Sequence, residues 1–192
     1  SRLSLIDRGM VYAIAHIRGG MEKGKKWYEN GKKKNKLNSF RDFIACAEFL
    51  KKENISKNIT IHGGSAGGLL IGASLNISPD TFHCAVAEVP FVDVLNTILD
   101  DTLPLTPPEW EEWGNPIKSK SDFNYIRSYS PYDNIKEQNY PTILATSGLT
   151  DPRVTYWEAT KWIAKLRSKK TDDNPLFLKT YTEAGHGGMA GR

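Results

Sequence analysis

The sequence predicts an α/β fold in which a mostly parallel sheet is flanked by helices. Strand-like and helix-like segments alternate along the chain, and the strand-like segments are short continuous apolar runs, typical of strands buried on both faces. Parallel strands need crossover connections, which the intervening helix-like segments would supply. The length of 192 residues is enough for one domain with a substantial core and short for two.

Five strands are predicted, each from a run rich in apolar or β-branched residues. In chain order they cover residues 11–17, 59–62, 84–88, 142–147 and 176–181. The first run, VYAIAHI, is apolar enough to indicate a fully buried strand, and Gly19-Gly20 ends it.

Helices are predicted between these strands. Ser39 is placed as the N-cap of the first, with Asp42 at the capping-box position and Asn54 as the stop. A helix of small residues is expected over 66–76 and another helix over 156–168. Residues 89–140 are rich in Pro, Trp, Tyr and Asp, and we expect short helices and loops there.

The net charge of +4 is unevenly distributed. Residues 18–36 hold eight basic and two acidic residues, whereas residues 88–112 hold seven acidic residues and no basic one. Lysines flanking Trp27 and Tyr28 could indicate nucleic-acid binding. No nucleic-acid-binding motif accompanies them, so a solvated loop is favoured and no nucleic-acid partner is expected.

Composition and spacing exclude several other classes. No apolar run approaches the roughly 20 residues that span a bilayer, so no membrane association is expected. Cys46 and Cys84 both lie in apolar runs, which disfavours a disulfide framework and favours a reducing, cytoplasmic location. Zinc-like Cys/His spacing and a G-x-G-x-x-G motif are both absent from the sequence, so neither a metal nor a cofactor is expected.

The sharpest motif is Gly63-Gly64-Ser65-Ala66-Gly67, which matches G-x-S-x-G between a predicted strand and a predicted helix. This is the context of a nucleophile elbow, whose strained turn needs neighbours with almost no side chain. The helix N-terminus would favour negative charge, and the Ala66 amide could donate to an oxyanion. A glycine-rich phosphate loop is the alternative, but the Gly-Lys-Ser/Thr of a Walker loop is absent.

A nucleophilic serine needs a base, and His186 is the favoured histidine. It lies in AGHGG, just past the carboxyl end of the last predicted strand, at the sheet edge where the elbow also lies. His16 and His62 fall within or at the end of predicted strands, and His83 borders a strand start at the opposite edge. A structural role is favoured for these three.

The acid that orients the base is predicted to be Asp151, which follows the penultimate strand at the correct edge. Asp93 is the rival, because it follows the 84–88 strand at the same edge. Asp172 and Asp173 precede the last strand and so lie at the wrong edge. The order Ser, Asp, His with the acid after the penultimate strand favours Asp151.

Further segments point to one family. They are RLSL (2–5), AHIRGG (15–20), WYENG (27–31), GGSAGG (63–68), VPFVD (89–93), EEWGNP (111–116), SPYDN (130–134), YWE (156–158), KWIAKLR (161–167) and GHGG (185–188). With them the chain resembles, over nearly its whole length, the catalytic domain of the prolyl oligopeptidase family of serine peptidases, in its oligopeptidase B branch.

The resemblance implies an α/β-hydrolase fold with the same triad of Ser65, Asp151 and His186. It implies a partial catalytic domain over residues 1–192, truncated at both ends and without the N-terminal β-propeller of the family. A tyrosine that donates to the oxyanion would lie just before Ser1, and a C-terminal helix would follow Arg192. The strand that precedes Ser1 in the parent fold would lie between those at 11–17 and 59–62. The missing N-terminal part of the same protein is therefore an expected partner.

For activity, the resemblance implies hydrolysis of short peptides after Lys or Arg. Glu109 and Glu111 would bind the basic side chain, Phe91 would supply an apolar wall, and Arg153 would hold a substrate carbonyl. One alternative is a catalytically impaired remnant that needs its missing part. An esterase on the same triad is less favoured, because the acidic 88–112 segment does not suit a lipid site.

Overall fold

The computed structural model describes residues 2–188, with the side chains from residue 3 onward. Its sheet has four parallel strands that neighbour one another in chain order. They are β1 (Thr60–Gly64), β2 (Cys84–Glu88), β3 (Thr142–Gly148) and β4 (Leu176–Tyr181). Since all four run the same way, their carboxyl ends meet at one edge, where ligands bind in open α/β sheets. The strands predicted at 59–62, 84–88, 142–147 and 176–181 are thus confirmed to within two residues.

Eight α-helices connect and flank these strands in the described chain. They are α1 (Arg2–Ile6), α2 (Lys25–Glu29), α3 (Leu37–Lys52), α4 (Ala66–Ile77), α5 (Val94–Leu99), α6 (Thr106–Trp113), α7 (Lys120–Tyr129) and α8 (Tyr156–Lys169). Two short 3₁₀ helices lie at Lys33–Asn35 and Pro79–Thr81. The helices predicted over 66–76 and 156–168, and the short helices predicted within 89–140, are confirmed. None of the described helices is long and apolar enough to cross a bilayer.

The core is built on one face of the sheet. Helix α4 packs on β1 and β2, α8 packs on β3 and β4, and α3 packs on α4. The residues buried between them include Ile61, Ile71, Leu75, Ala87, Ile143, Trp162, Ile163 and Leu166. The opposite face of the sheet is open within residues 2–188, and it leaves Leu144 and Phe177 exposed.

A second apolar cluster lies beside the carboxyl edge of the sheet. Helices α5, α6 and α7 contribute most of it, and its buried members include Phe91, Val94, Ile98, Trp113, Ile126 and Tyr129. This cluster forms a cap over the β2–α5 connection, so the short helices between β2 and β3 have a packed interior of their own. Residues of the cap line one side of the site described below.

The strand predicted over residues 11–17 is wrong. This segment contributes no strand to the described sheet, and Val11 and Ile14 are 68% and 57% exposed. Composition predicts burial, but a strand also needs a neighbour to complete its backbone hydrogen bonds. The only strand paired with β1 among the described residues is β2, and residues 11–17 do not join the described sheet. His16 is consequently more than half exposed.

The start of α3 also differs from its prediction. The helix begins at Leu37, so Ser39 lies inside its first turn. The Ser39 hydroxyl donates to the Arg18 carbonyl at 2.6 Å, and Asp42 accepts from Arg18 Nε at 2.7 Å. Both polar groups therefore anchor the chain after residue 17 instead of capping a helix. The stop is confirmed, because Asn54 follows the helix end with a φ of +55°.

Cys46 lies on the outer side of α3 and is exposed to solvent, although the sequence placed it in apolar surroundings.

Candidate active site

Ser65 occupies a sharp turn between β1 and α4. Its φ of +54° is rare for a residue with a side chain and fits a strained elbow. The turn is fixed on both sides, since the Ser65 amide donates to the Glu88 carbonyl and its own carbonyl accepts from the Phe91 amide, each at 3.0 Å. The β1–α4 turn is thereby tied to the end of β2.

Two glycines make this turn possible. A Cβ on Gly63 would lie 2.4 Å from the Gly67 carbonyl oxygen, and one on Gly68 would lie 2.4 Å from the Pro90 Cα. Either contact would force backbone apart, so the expectation of neighbours without side chains is met at these two positions. At Gly67, by contrast, the described residues leave open space for a Cβ.

His186 and Asp151 meet at the same edge of the sheet. His186 Nδ1 lies 2.8 Å from Asp151 Oδ2, and the Asp151 side chain is fully buried. The other oxygen, Oδ1, accepts from the amides of Arg153 at 2.8 Å and Val154 at 3.1 Å. With both oxygens engaged, the carboxylate cannot turn away from the imidazole.

This contact fixes which imidazole nitrogen can act as a base. An ionised carboxylate can only accept hydrogen bonds, so the proton of neutral His186 lies on Nδ1. Nε2 is then the nitrogen with a free lone pair. The arrangement is the one required of a base oriented by a buried acid.

The rival acid is engaged elsewhere. Asp93 is buried and forms an ion pair with Lys161, and its Oδ1 accepts from the Asn96 side chain at 2.7 Å. The remaining histidines are also placed differently from His186. His62 lies 3.3 Å from Glu88 on the open face of the sheet, and His16 lies 3.6 Å from Glu22.

The Ala66 amide stands at the first position of α4. The first amides of an α-helix have no carbonyl partner within the helix, and the helix dipole concentrates positive potential there. Because Ala66 directly follows Ser65, its N–H can face negative charge that develops beside the serine. The 12-residue length of α4 suits this role.

Two cavities adjoin Ser65 and His186. The larger, of about 490 Å³, lies over the ends of β1–β4 and is lined by Ser65, Glu88, Val89, Thr146, Ser147, Tyr181 and His186 among others. The smaller, of about 130 Å³, reaches into the cap. Its lining consists of Ser65, Ala66, Phe91, Thr97, Ile98, Leu105, Thr106, Glu109, Trp113, Arg153, Val154 and His186. Ser65 and His186 thus stand where the two spaces meet.

The smaller cavity combines apolar walls with one carboxylate. Glu109 is the sole acidic residue among its described lining residues. Trp113 Nε1 donates to Glu109 Oε2 at 2.7 Å, and the Trp113 ring packs against Phe91 with ring centres 5.5 Å apart. The structure therefore brings the predicted residues Glu109, Phe91 and Arg153 into the same cavity as Ser65.

Glu111 is not brought there. Its side chain is 87% exposed, lines neither of the two cavities, and accepts from Lys33 Nζ at 3.0 Å. That hydrogen bond lowers the pKa of Glu111. Residues two apart on a helix face different sides, so Glu109 and Glu111 cannot share one pocket on α6.

The basic segment at residues 18–36 is more than the solvated loop that the sequence predicted. Lys36 is buried, pairs with Glu112 at 2.9 Å, and places its ammonium 4.6 Å from the centre of the Trp113 ring. Burial lowers the pKa of Lys36, against the opposing effect of Glu112. Tyr28 donates to Glu112 at 2.6 Å, and this bond raises the pKa of Tyr28 to about 12. The basic segment is thus attached to α6 through Glu112.

The comparison with known families is decisive. The sequence model of the prolyl oligopeptidase family matches residues 1–192. The chain belongs to that family. As a prolyl oligopeptidase family member it is 50% identical to Protease 2 of Moraxella lacunata and 48% identical to dipeptidyl aminopeptidase BI of Pseudoxanthomonas mexicana, each over its whole length.

Solved structures agree with this assignment. Oligopeptidase B from Leishmania major superposes on 96% of the chain with a TM-score of 0.94 and 53% sequence identity. The α/β-hydrolase domain of this family is thereby the fold of the chain. The chain spans 28% of Protease 2, 27% of dipeptidyl aminopeptidase BI and 26% of the Leishmania protein.

Sequence reasoning did not single out two side chains of this family member, Trp113 in the smaller cavity and the buried Glu158 beside it. Trp113 lies four residues after Glu109 on a predicted short helix, a spacing that places both on one face. Glu158 lies with Ala159, Trp162 and Leu166 on the apolar face of a predicted helix, where a glutamate is unexpected. Both signals were present in the sequence.

Proposed function

We propose that this chain carries the catalytic serine of a peptidase that hydrolyses short peptides after Lys or Arg. The observation that carries the proposal is that Ser65, His186 and Glu109 line one cavity. A nucleophile, its base and a carboxylate able to bind a cationic side chain are then all within reach of one substrate residue.

In the proposed reaction, Ser65 Oγ attacks the carbonyl carbon of the peptide bond while His186 Nε2 takes the hydroxyl proton. Asp151 holds the imidazole and stabilises its charged form. The tetrahedral oxyanion accepts a hydrogen bond from the Ala66 amide at the positive end of α4. The carbon–nitrogen bond then breaks, and His186 returns the proton to the departing amine.

The acyl-enzyme is hydrolysed by the same groups. Water attacks the ester carbon, His186 Nε2 accepts one of its protons, and the bond to Ser65 Oγ breaks. The proton passes from His186 to Ser65, which restores the free serine and releases a peptide with a new carboxylate. Every proton in this cycle moves through His186.

Specificity is proposed to come from the smaller cavity. The methylenes of a Lys or Arg side chain would pack between Phe91 and Trp113, and the cationic head would meet Glu109. Arg153, at the cavity edge, would donate to a backbone carbonyl of the substrate. Glu111 would act only by attracting cationic peptides from a distance, because its carboxylate is already paired with Lys33.

We also propose a partner for this chain and a cellular location. The relatives are named Protease 2 and dipeptidyl aminopeptidase BI, and their greater length means that segments beyond this chain would share in substrate selection. The segment that precedes this one in the parent protein is the partner we propose. Cys46 and Cys84 are both free thiols, which supports a cytoplasmic location.

Covalent labelling of the folded 192-residue chain with a fluorophosphonate probe tests this function. We expect labelling at Ser65, located by peptide mass spectrometry, since only an activated serine reacts. Ser65→Ala should abolish labelling, whereas Ser168→Ala, which changes an exposed serine on α8, should not alter it. Failure of the folded wild-type chain to react would contradict catalysis and favour an impaired remnant.

A further inference from the structure

Glu158 is a fully buried acid that has no part in the proposed chemistry. The Glu158 side chain is inaccessible to solvent and lies in the first turn of α8. A carboxylate taken out of water costs several kcal/mol unless hydrogen bonds replace its hydration. Its contacts therefore indicate what holds it in place.

The Glu158 carboxylate accepts three hydrogen bonds in the described structure, all from the connection that leads from β2 into α5. Oε2 accepts from the amides of Val92 and Asp93, each at 2.9 Å, and Oε1 accepts from Thr97 Oγ1 at 2.8 Å. This connection carries two walls of the smaller cavity, because Phe91 precedes Val92 and Thr97 lines the cavity itself.

The segment just before the helix that bears Glu158 supplies another wall. Val154, which lines the same cavity, precedes α8 and donates its amide to Asp151. From Thr97 the connection continues to α6, since its carbonyl accepts from Thr106 Oγ1 at 2.8 Å. A path of hydrogen bonds and short chain segments thus joins the Asp151 loop, the β2–α5 connection and α6 through one carboxylate.

We propose that Glu158 is a positioning residue that sets the shape of the cavity assigned above to the cationic side chain of the substrate. It acts by fixing the β2–α5 connection against α8, so that Phe91 and Thr97 keep their distance from Val154 and Glu109. The inference rests on the proposed function of that cavity. It requires an acceptor at this position and does not require a negative charge.

The chemistry of the variants separates these two requirements. In Glu158→Gln the amide oxygen can accept from both backbone amides, and the amide NH₂ can donate to Thr97 Oγ1. Glu158→Ala leaves two buried amides and a hydroxyl without partners. Asn76→Ala is the matched control, because Asn76 is a buried polar residue that joins Pro131 and Tyr140 and lines neither of the two cavities.

The test compares the rates at which two peptidyl phosphonates label Ser65, one with an arginine side chain and one with an alanine side chain before the phosphorus. We expect Glu158→Ala to lower the arginine-to-alanine rate ratio about tenfold, and Glu158→Gln to restore it to within twofold. Asn76→Ala should leave the ratio unchanged, since loss of folded chain lowers both rates equally. If Glu158→Ala does not fold, Thr97→Val should lower the ratio in the same direction.

An unchanged ratio in Glu158→Ala and Thr97→Val, or a ratio that Glu158→Gln fails to restore, would overturn the proposal. Failure of the proposed function has a different signature and shows in the wild-type chain, where Ser65 would react with neither phosphonate or would react without preference for arginine.

Discussion

At the scale of single residues, Asp151 and Asp93 differ in what they hold. Each follows a strand at the same edge of the sheet, which is why the sequence left both open. In the structure Asp151 contacts the His186 imidazole, whereas Asp93 forms an ion pair with Lys161. The sequence order favoured Asp151, but only the side-chain contacts separate the two carboxylates physically.

Asparagine substitutions should separate their roles. We expect Asp151→Asn to slow fluorophosphonate labelling of Ser65 by about 10³–10⁴-fold, because an amide no longer stabilises the imidazolium or enforces its tautomer. Asp93→Asn should slow it less than about tenfold, since it removes only the partner of Lys161. Labelling rates for both variants in the folded chain provide the measurement. A larger loss in Asp93→Asn would contradict the assignment of the acid.

Titration of Glu158 should also make the free energy of unfolding depend on pH. Burial, with a smaller contribution from the charge of Asp93, raises the pKa of Glu158 to about 7 against hydrogen bonds that lower it. Asp93 in turn is paired with Lys161 on the same helix. Between the unfolded value of 4.5 and about 7, the folded chain holds a proton that the unfolded chain has lost.

The free energy of unfolding contributed by Glu158 is therefore fully present below pH 4.5 and is lost as the pH rises to about 7. Glu158→Gln has no such titration, so its stability relative to wild type should rise across this interval by on the order of 3 kcal/mol. Urea unfolding of both chains at pH 5 and pH 8 measures the difference. Parallel pH profiles would show that the buried carboxyl does not titrate in this range.

At the scale of elements, helix α6 divides the acidic charge of the chain. Glu109 faces the cavity, while Glu111 and Glu112 face the basic segment and pair with Lys33 and Lys36. The sequence showed one acidic and one basic segment but not that they meet, because their contact joins residues more than 70 positions apart. Of these three carboxylates, only that of Glu109 faces the cavity to which we assign the cationic side chain of the substrate.

The two ion pairs on α6 should differ in their contribution to stability. Lys36→Met keeps the aliphatic stem but leaves the partly buried Glu112 without a cation, and we expect the free energy of unfolding to fall by about 2 kcal/mol. Lys33→Met removes an exposed pair and should leave the urea midpoint unchanged. Equal midpoints for the two variants would argue against a supporting role for Lys36.

The sequence predicted well those elements whose apolar residues are buried against neighbouring elements in the structure. The four strands that pair in the sheet and the long helices α4 and α8 were located within two residues, because local apolar patterns coincide with burial. The 11–17 segment has the same pattern but does not join the described sheet, and no local signal reveals that. Ser39 was misplaced as a cap for a related reason, since its hydroxyl serves a long-range contact with Arg18.

At the scale of the whole molecule, the site depends on residues distant in sequence that the parallel sheet brings to one edge. The elbow follows β1, the acid follows β3 and the histidine follows β4, so chain order alone was enough to predict their meeting. The substrate cavity was harder to predict, because its walls come from the cap between β2 and β3. There Glu109 could be placed by resemblance, while two signals were overlooked: the four-residue spacing of Trp113 from Glu109 and the position of Glu158 on an apolar helix face.

The central claim is that Ser65 acts on substrates selected by Glu109. It is tested most directly by the ratio of Ser65 labelling rates with arginine and phenylalanine phosphonates in the wild type, Glu109→Gln and Glu111→Gln. In the wild type, the phenylalanine reagent leaves the Glu109 carboxylate without a cation, so the cavity should favour the arginine reagent strongly. Glu109→Gln removes this penalty and should lower the ratio by tenfold to a hundredfold, or about 1–3 kcal/mol. The loss should shrink at high salt as far as the cavity is open to solvent. Glu111→Gln should change the ratio less than about threefold. Equal loss of both reagents in Glu109→Gln, or no preference for arginine in the wild type, would contradict the account.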